Sequence, residues 1–154
     1  MKLPWKTATR ALLFSTLLGA GAPALGAESA APAVEIKIGT ILASNQSDEF
    51  DGRLAPLEKQ LKVMKYRSYR LVGEEAQNVP WKGKAVFEIP GGRALTVTPE
   101  AFRNRQIALK VSLTEGQKRL LDTTVRLQNK GNFLLGGPPH EGGALVISIW
   151  ATVP

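Results

Sequence analysis

The chain reads as a mainly-β domain: a sandwich or open barrel of seven to eight short antiparallel strands, with one helix at about 53–64 between the first two strands. Three observations lead there. Apolar and polar residues alternate over most segments after residue 33, turn residues (Pro, Gly, Asn, Asp) recur about every ten positions, and only one segment carries its leucines at helical spacing. A small α+β domain with a mixed sheet, opened by a β-helix-β unit, is the alternative.

The first residues precede the fold. Lys2, Lys6 and Arg10 give a basic start, 11–19 is a short apolar stretch, and small residues run to Ala27, the order of a secretory signal peptide. Cleavage fits after Ala24 or after Ala27. The second site divides the chain into a signal (1–27), a flexible Ala/Pro-rich leader (28–33) and a single β-rich domain (34–154). The apolar stretch is shorter than the about 20 residues of a membrane span and runs into Gly21 and Pro23, so no transmembrane anchor is expected after cleavage. With zero cysteines, disulfides, thiolate metal sites and lipid attachment through cysteine are excluded, and burial alone must hold the fold. The expected location is periplasmic or secreted, with a bacterial envelope favoured.

Removing the signal changes the charge. Three of the 20 Lys and Arg residues leave while all 13 Asp and Glu remain, so the mature chain sets 17 basic residues against 13 acidic, a net charge of +4 rather than +7. That keeps a domain soluble and mildly favours anionic surfaces, and export argues against nucleic acid as a partner.

Residues 35–43 place Ile36, Ile38, Thr40 and Leu42 at alternate positions, the period of a strand, and 44–52 is a polar connection. From 53 to 64 the period changes: Leu54, Leu57, Leu61 and Met64 share one helical stripe. Asp51 caps its start, Pro56 is tolerable in the opening turn, and Glu58 to Lys62 is a favourable i,i+4 pair. A strand follows at 66–72. The polar stretch 73–78 leads from it to a turn or edge at Pro80-Trp81-Lys82-Gly83, and 84–89 and 93–98 form a hairpin around Pro90-Gly91-Gly92.

The cleanest alternation comes next. Ile107, Leu109, Val111 and Leu113 oppose Ala108, Lys110 and Ser112, and Leu121, Thr123, Val125 and Leu127 oppose Asp122, Thr124 and Arg126. One dry and one wet face result, and a slip of one residue would bury Lys110 or Asp122, so the register is fixed. Asn129-Lys130-Gly131 turns the chain into a short strand at 133–135. Residues 144–153 are apolar on both faces, through Leu145, Ile147 and Ile149 on one and Val146 and Trp150 on the other, which places that strand centrally. Glycines and prolines at 136–143 predict a loop between these two strands.

His140, the only histidine, titrates near neutrality and is the obvious acid-base candidate. It lacks a cysteine or Gly-x-Ser-x-Gly serine to activate and a second histidine for a helical zinc motif, and Glu141, its immediate neighbour, is expected to point away. A solvated turn residue is the reading, with no catalytic residue and no cofactor. The oxygens of 45–52 begin like a calcium loop but lack its alternate acids and distant Glu, so a capping connection is preferred, its acids pairing with Arg53 or with strand arginines. Gly91-Gly92 and Gly136-Gly137 lack the spacing and following helix of a phosphate loop.

The densest basic run is Lys59, Lys62, Lys65, Arg67 and Arg70, with Tyr66 and Tyr69 interleaved. Basic and aromatic residues are enriched at contacts, so this run is the candidate interaction patch, against the plainer reading of a solvated charged face. Trp81 either stacks on a sugar or plugs the end of the core, and the core is preferred. The expected function is a non-catalytic exported protein that binds another envelope protein, as an accessory or assembly component of a bacterial cell-envelope complex, through sheet edges and this patch. The alternative is a glycan or peptidoglycan binding module using Trp81 and the tyrosines.

Overall fold

The structure, a computed structural model, describes residues 33–154. The expected signal segment and the leader before Ala33 lie outside the described residues. In chain order come β1 (Ala33–Ser44), a 3-10 turn (Gly52–Leu57) running into α1 (Glu58–Lys62), β2 (Ser68–Pro80), β3 (Ala85–Ile89), β4 (Arg93–Arg103), β5 (Gln106–Glu115), β6 (Lys118–Gln128), β7 (Gly131–His140) and β8 (Gly143–Thr152). They form two four-stranded sheets, ordered β2-β1-β8-β7 and β3-β4-β5-β6. Every ladder is antiparallel, which sets aside the mixed-sheet alternative. Sequence neighbours pair throughout except at β2/β3 and β6/β7, where the chain changes sheets, and β1 pairs with β8. The order is that of an up-and-down barrel slit at two seams, so the molecule is a sandwich and not a closed barrel.

The inward positions of both sheets make the main core. Ile36, Ile38, Leu145, Ile147 and Ile149 of the first sheet meet Phe87, Leu95, Val97, Ile107, Leu109 and Val111 of the second. A second core lies on the other face of the first sheet, where Leu54, Leu57 and Leu61 of the helical segment cover Ile41, Ala43, Tyr69 and Val146. This third layer explains why β8 is apolar on both faces: it pairs with β1 and β7 and is buried from above and below. Burying each such Leu or Ile contributes about 1.5–3 kcal/mol.

Two segments expected to be loops are strand. β2 continues through 73–78, and β7 runs to His140 with its register shifted between Gly136 and Pro139. Pro138 and Pro139 are tolerated because β7 is an edge. The hairpin then closes on Glu141 (φ 47°) and Gly142 (φ 77°), both in the left-handed region that a tight two-residue turn requires. Glycine is needed at 143 as well, since a Cβ there would collide with the Ala43 carbonyl oxygen. The helical segment opens as a 3-10 turn, because Pro56 donates no N–H and disfavours α geometry at Ala55. Asp51 caps it by accepting from the Arg53 N–H at 3.0 Å, the capping role expected of it.

A β-bulge in β2 decides what lies under the helix. Thr40 pairs with Gly73 but Ile41 pairs with Leu71, which leaves Val72 as an extra residue. Below the bulge Val79, Gln77, Glu75 and Gly73 oppose Val34, Ile36, Ile38 and Thr40; above it Leu71 and Tyr69 oppose Ile41 and Ala43, on the helix-covered face. Without the bulge, strict alternation through Val72 would point Tyr69 and Leu71 between the sheets.

Candidate functional site

The basic run is not one surface. Lys62 pairs with Glu58 at 2.8 Å, as the i,i+4 spacing predicted. Arg67 lies on Asp48 in a bidentate pair, Nε to Oδ1 and Nη2 to Oδ2 both at 2.8 Å, and its backbone N–H donates to Asn45 Oδ1. The Asp48 carboxyl is held below its ordinary value, first by the Arg67 hydrogen bond and then by its charge. Arg70 alternates with Tyr69 and Leu71, so it leaves the opposite face of β2 from the helical segment that carries Lys59 and Lys62. Lys59 and Lys65 are exposed, and Tyr66 is half-buried against the second core.

Tyr69 leaves the patch altogether. It is 3% exposed, its hydroxyl donates to the Leu61 carbonyl at 2.6 Å and accepts from the Tyr66 N–H at 3.1 Å. Its edge faces Phe50 and Tyr66, with ring centroids 6.1 and 6.4 Å away. No ring face is available for stacking a ligand. Trp81 is half-buried and packs against the main core, in the plugging position preferred from the sequence.

The polar loop after β1 covers the upper edge of β2. Tyr69 donates its N–H to the Glu49 carbonyl at 3.1 Å and its carbonyl accepts from the Asp51 N–H at 2.9 Å. At the next outward residue side chains take over. Leu71 N–H donates to Asp51 Oδ2 at 3.1 Å, and Leu71 O accepts from Arg53 Nη2 at 3.1 Å, so Asp51 and Arg53 act as a short substitute strand. Hydrogen bonds from the Arg53 side chain, then from the Arg53 and Leu71 N–H groups, hold the Asp51 carboxyl far below the usual carboxylate range. Two of the carboxylates that suggested a calcium loop, Asp48 and Asp51, are therefore engaged by arginines, and among the described residues no group of three metal-ligating side chains forms.

His140 is less solvated than expected, its side chain 19% exposed, and Glu141 turns back to it with Oε2 3.0 Å from Nε2. The tight turn brings the neighbours together, correcting the expectation that Glu141 points away. Nδ1 lies 3.5 Å from Arg93 Nη1. Arg93 spans the end of the sandwich: Nη1 donates to the Pro90 carbonyl (3.1 Å) in the second sheet's turn, Nη2 to the Pro139 carbonyl (3.2 Å) in β7, and Nε sits 3.2 Å from Glu115 without an aligned hydrogen bond. His140 thus belongs to a clamp between the sheets.

The two seams differ. At β6/β7, Leu121, Phe133 and Leu135 pack against the main core. At β2/β3 Val79 reaches the main core, but the inward residues of β2 beyond it are Gln77, Glu75 and Gly73, too small or too polar to close the gap. Gln77 Nε2 bridges it at one level by donating to the Val86 carbonyl at 3.0 Å. Beyond that bridge the edges part around a cleft of about 890 Å3, floored by Ile38, Thr40 and Ile89 and bordered by Glu74, Glu75 and Glu88. The sequence reading missed this site, because Gly73 to Asn78 looked like a connection. The available signal was an edge strand whose inward positions are polar.

No family model, curated protein or solved structure matches the chain.

Proposed function

We propose that this is a non-catalytic exported protein that binds another envelope protein, as an accessory or assembly component of a cell-envelope complex, and that the partner adds a strand at the β2/β3 seam. The observation that carries this reading is the Gln77 to Val86 bridge. It marks the outward carbonyl of β3 as one left without a backbone partner, beside a second unpaired edge, and exposed strand edges are templates for an incoming chain. Export is supported by the basic start, the short apolar stretch and the small residues up to Ala27. The expected basic docking patch loses weight, since Tyr69 is buried and Lys62 and Arg67 are paired.

The test is retention of an envelope protein at one-to-one stoichiometry on the immobilised domain. Val86 bonds outward on β3, so Val86→Pro removes an N–H that the β3/β4 ladder does not use and leaves the sheet intact. Retention by the native domain and its loss with Val86→Pro support the reading. Should Val86→Pro unfold the domain, Val86→Lys blunts the same edge without touching the backbone. Equal retention by a folded edge variant rejects docking at this seam.

A further inference from the structure

We infer that the β2/β3 seam selects a cationic extended segment, a strand that alternates basic and apolar residues; this rests on the edge-docking reading above. The argument is one of charge and spacing. A strand inserted between two others needs about 4.7–4.9 Å on each side, and at the Gln77 level that space is crossed by one glutamine side chain and its hydrogen bond. Further along, the cleft is free of such a bridge and reaches the turn at Pro90-Gly91-Gly92.

The alternation of the flanking strands fixes what an incoming strand would meet. Glu75 opposes Ile38 of the main core, so it sits on the inward side of β2. Glu74 lies on the outer face, 3.7 Å from Lys37. On the opposite lip Val86 and Glu88 are outward and exposed, between the buried Ala85, Phe87 and Ile89. Outward residues of a guest strand would lie between Glu74 and Glu88, and inward ones would meet Ile38, Ile89 and the Glu75 carboxylate. An inward charge on an open edge repels an apolar strand, because pairing would bury that charge without a partner. A lysine or arginine in the guest removes this penalty. Glu75 therefore closes the seam to neutral strands, copies of this chain's own apolar strands among them, and leaves it open to basic ones. Glu74 has Lys37 beside it, and Glu75 accepts a hydrogen bond from Gln77 Nε2 at 3.0 Å but faces no cation among the described residues. Arg93, the one cation lining the cleft, is held by two carbonyls and Glu115 and does not cancel Glu75 and Glu88.

The probes are two synthetic peptides of alternating valine with lysine and valine with glutamate, titrated into the isotope-labelled domain at low salt. The lysine peptide should shift the Val86 and Glu88 amides and slow their hydrogen exchange, and Glu75→Gln with Glu88→Gln should weaken its binding about tenfold. Equal binding of the glutamate peptide, or no change in the double variant, overturns charge selection while leaving edge docking to its own test. Shifts that map to the Lys59–Lys65 surface instead of β3 overturn the site. If the native domain retains its envelope partner through Val86 and that partner's docking segment is acidic, the inference fails and the docking reading stands.

Discussion

The Tyr69 hydroxyl donates to the Leu61 carbonyl at 2.6 Å, tying the start of β2 to the last turn of the helical segment that covers it. Leu61 is fully buried, and it precedes a helix end where Val63 is 76% exposed and Lys65 has a positive φ of 67°. The carbonyl also accepts the Met64 N–H at 2.9 Å, so the phenol is a second donor at a helix end that the chain leaves immediately. Tyr69→Phe keeps the ring and removes the bond, which leaves the Leu61 carbonyl and the Tyr66 N–H each without it. A loss of about 1–3 kcal/mol is expected, read as a lower urea midpoint at unchanged slope. A variant as stable as the native protein would show that the phenol has no structural role.

Deleting Val72 should be tolerated almost as well as replacing it. Val72 is half exposed and unpaired, so Val72→Ala is expected within about 0.5 kcal/mol of the native stability. Deletion removes the bulge but lets Leu71 follow Gly73 directly, so strict alternation keeps Tyr69 and Leu71 on the face of Leu54, Leu57 and Leu61 and the second core stays covered. The expected result is a domain that keeps its near-ultraviolet tyrosine signal and still protects the helical segment from protease. A deletion variant that loses both would disprove the reading that the bulge serves only to set the face on which Tyr69 lies.

What could be read in the sequence was whatever alternates. β5 and β6 and the doubly apolar β8 declare their faces residue by residue, and the structure places them so. What could not be read was pairing that defeats alternation. The bulge at Val72 reverses the side on which Tyr69 lies, so a tyrosine that looks like half of an exposed patch is a buried strut. Long-range charge pairing could be read only as a class: acids of 45–52 do pair with Arg53 and a strand-side arginine, but nothing local assigns Asp48 to Arg67, 19 residues away. Pro138 and Pro139 looked like loop residues because proline in a central strand is excluded, and only the sheet order shows that β7 is an edge. The cleft is the product of all three, since it requires knowing which strands end the sheets and which of their residues face inward.

Acid should act first through the loop that covers the β2 edge. Asp48 and Asp51 both titrate below their ordinary value of 3.8, with arginine hydrogen bonds as the leading cause. Folded values below unfolded ones mean that the stabilisation is fully present above the unfolded value, so pH changes around neutrality leave it untouched. It is lost as pH falls from about 4 through the folded values. Carboxyl carbon titration should show Asp51 protonating well below the ordinary carboxylate range, with the Leu71 amide shifting in the same step. Asp51→Asn keeps an acceptor for Leu71 but loses the charge opposite Arg53, and should flatten the acid limb. An Asp51 that titrates in the ordinary carboxylate range would contradict the substitute-strand geometry.

Arg93 and His140 share a contact but should differ greatly in what they hold. Arg93 is nine-tenths buried, and its two donated bonds join carbonyls of different sheets, Pro90 and Pro139, across the end of the sandwich where no ladder connects them. Arg93→Met keeps the apolar stem and removes the donors, leaving both carbonyls and Glu115 without their partner. A loss of about 2–3 kcal/mol is expected, of the size found when hydrogen bonds to a charged group are removed. His140 adds only a 3.5 Å contact to the same guanidinium and an exposed partner in Glu141. His140→Gln should therefore stay within about 0.5 kcal/mol of the native protein. Amide exchange separates the two further, since Arg93→Met should speed exchange in both the β3–β4 and β7–β8 turns, while His140→Gln should affect only its own. Equal destabilisation by the two variants would mean that the histidine, not the arginine, joins the sheets at this end.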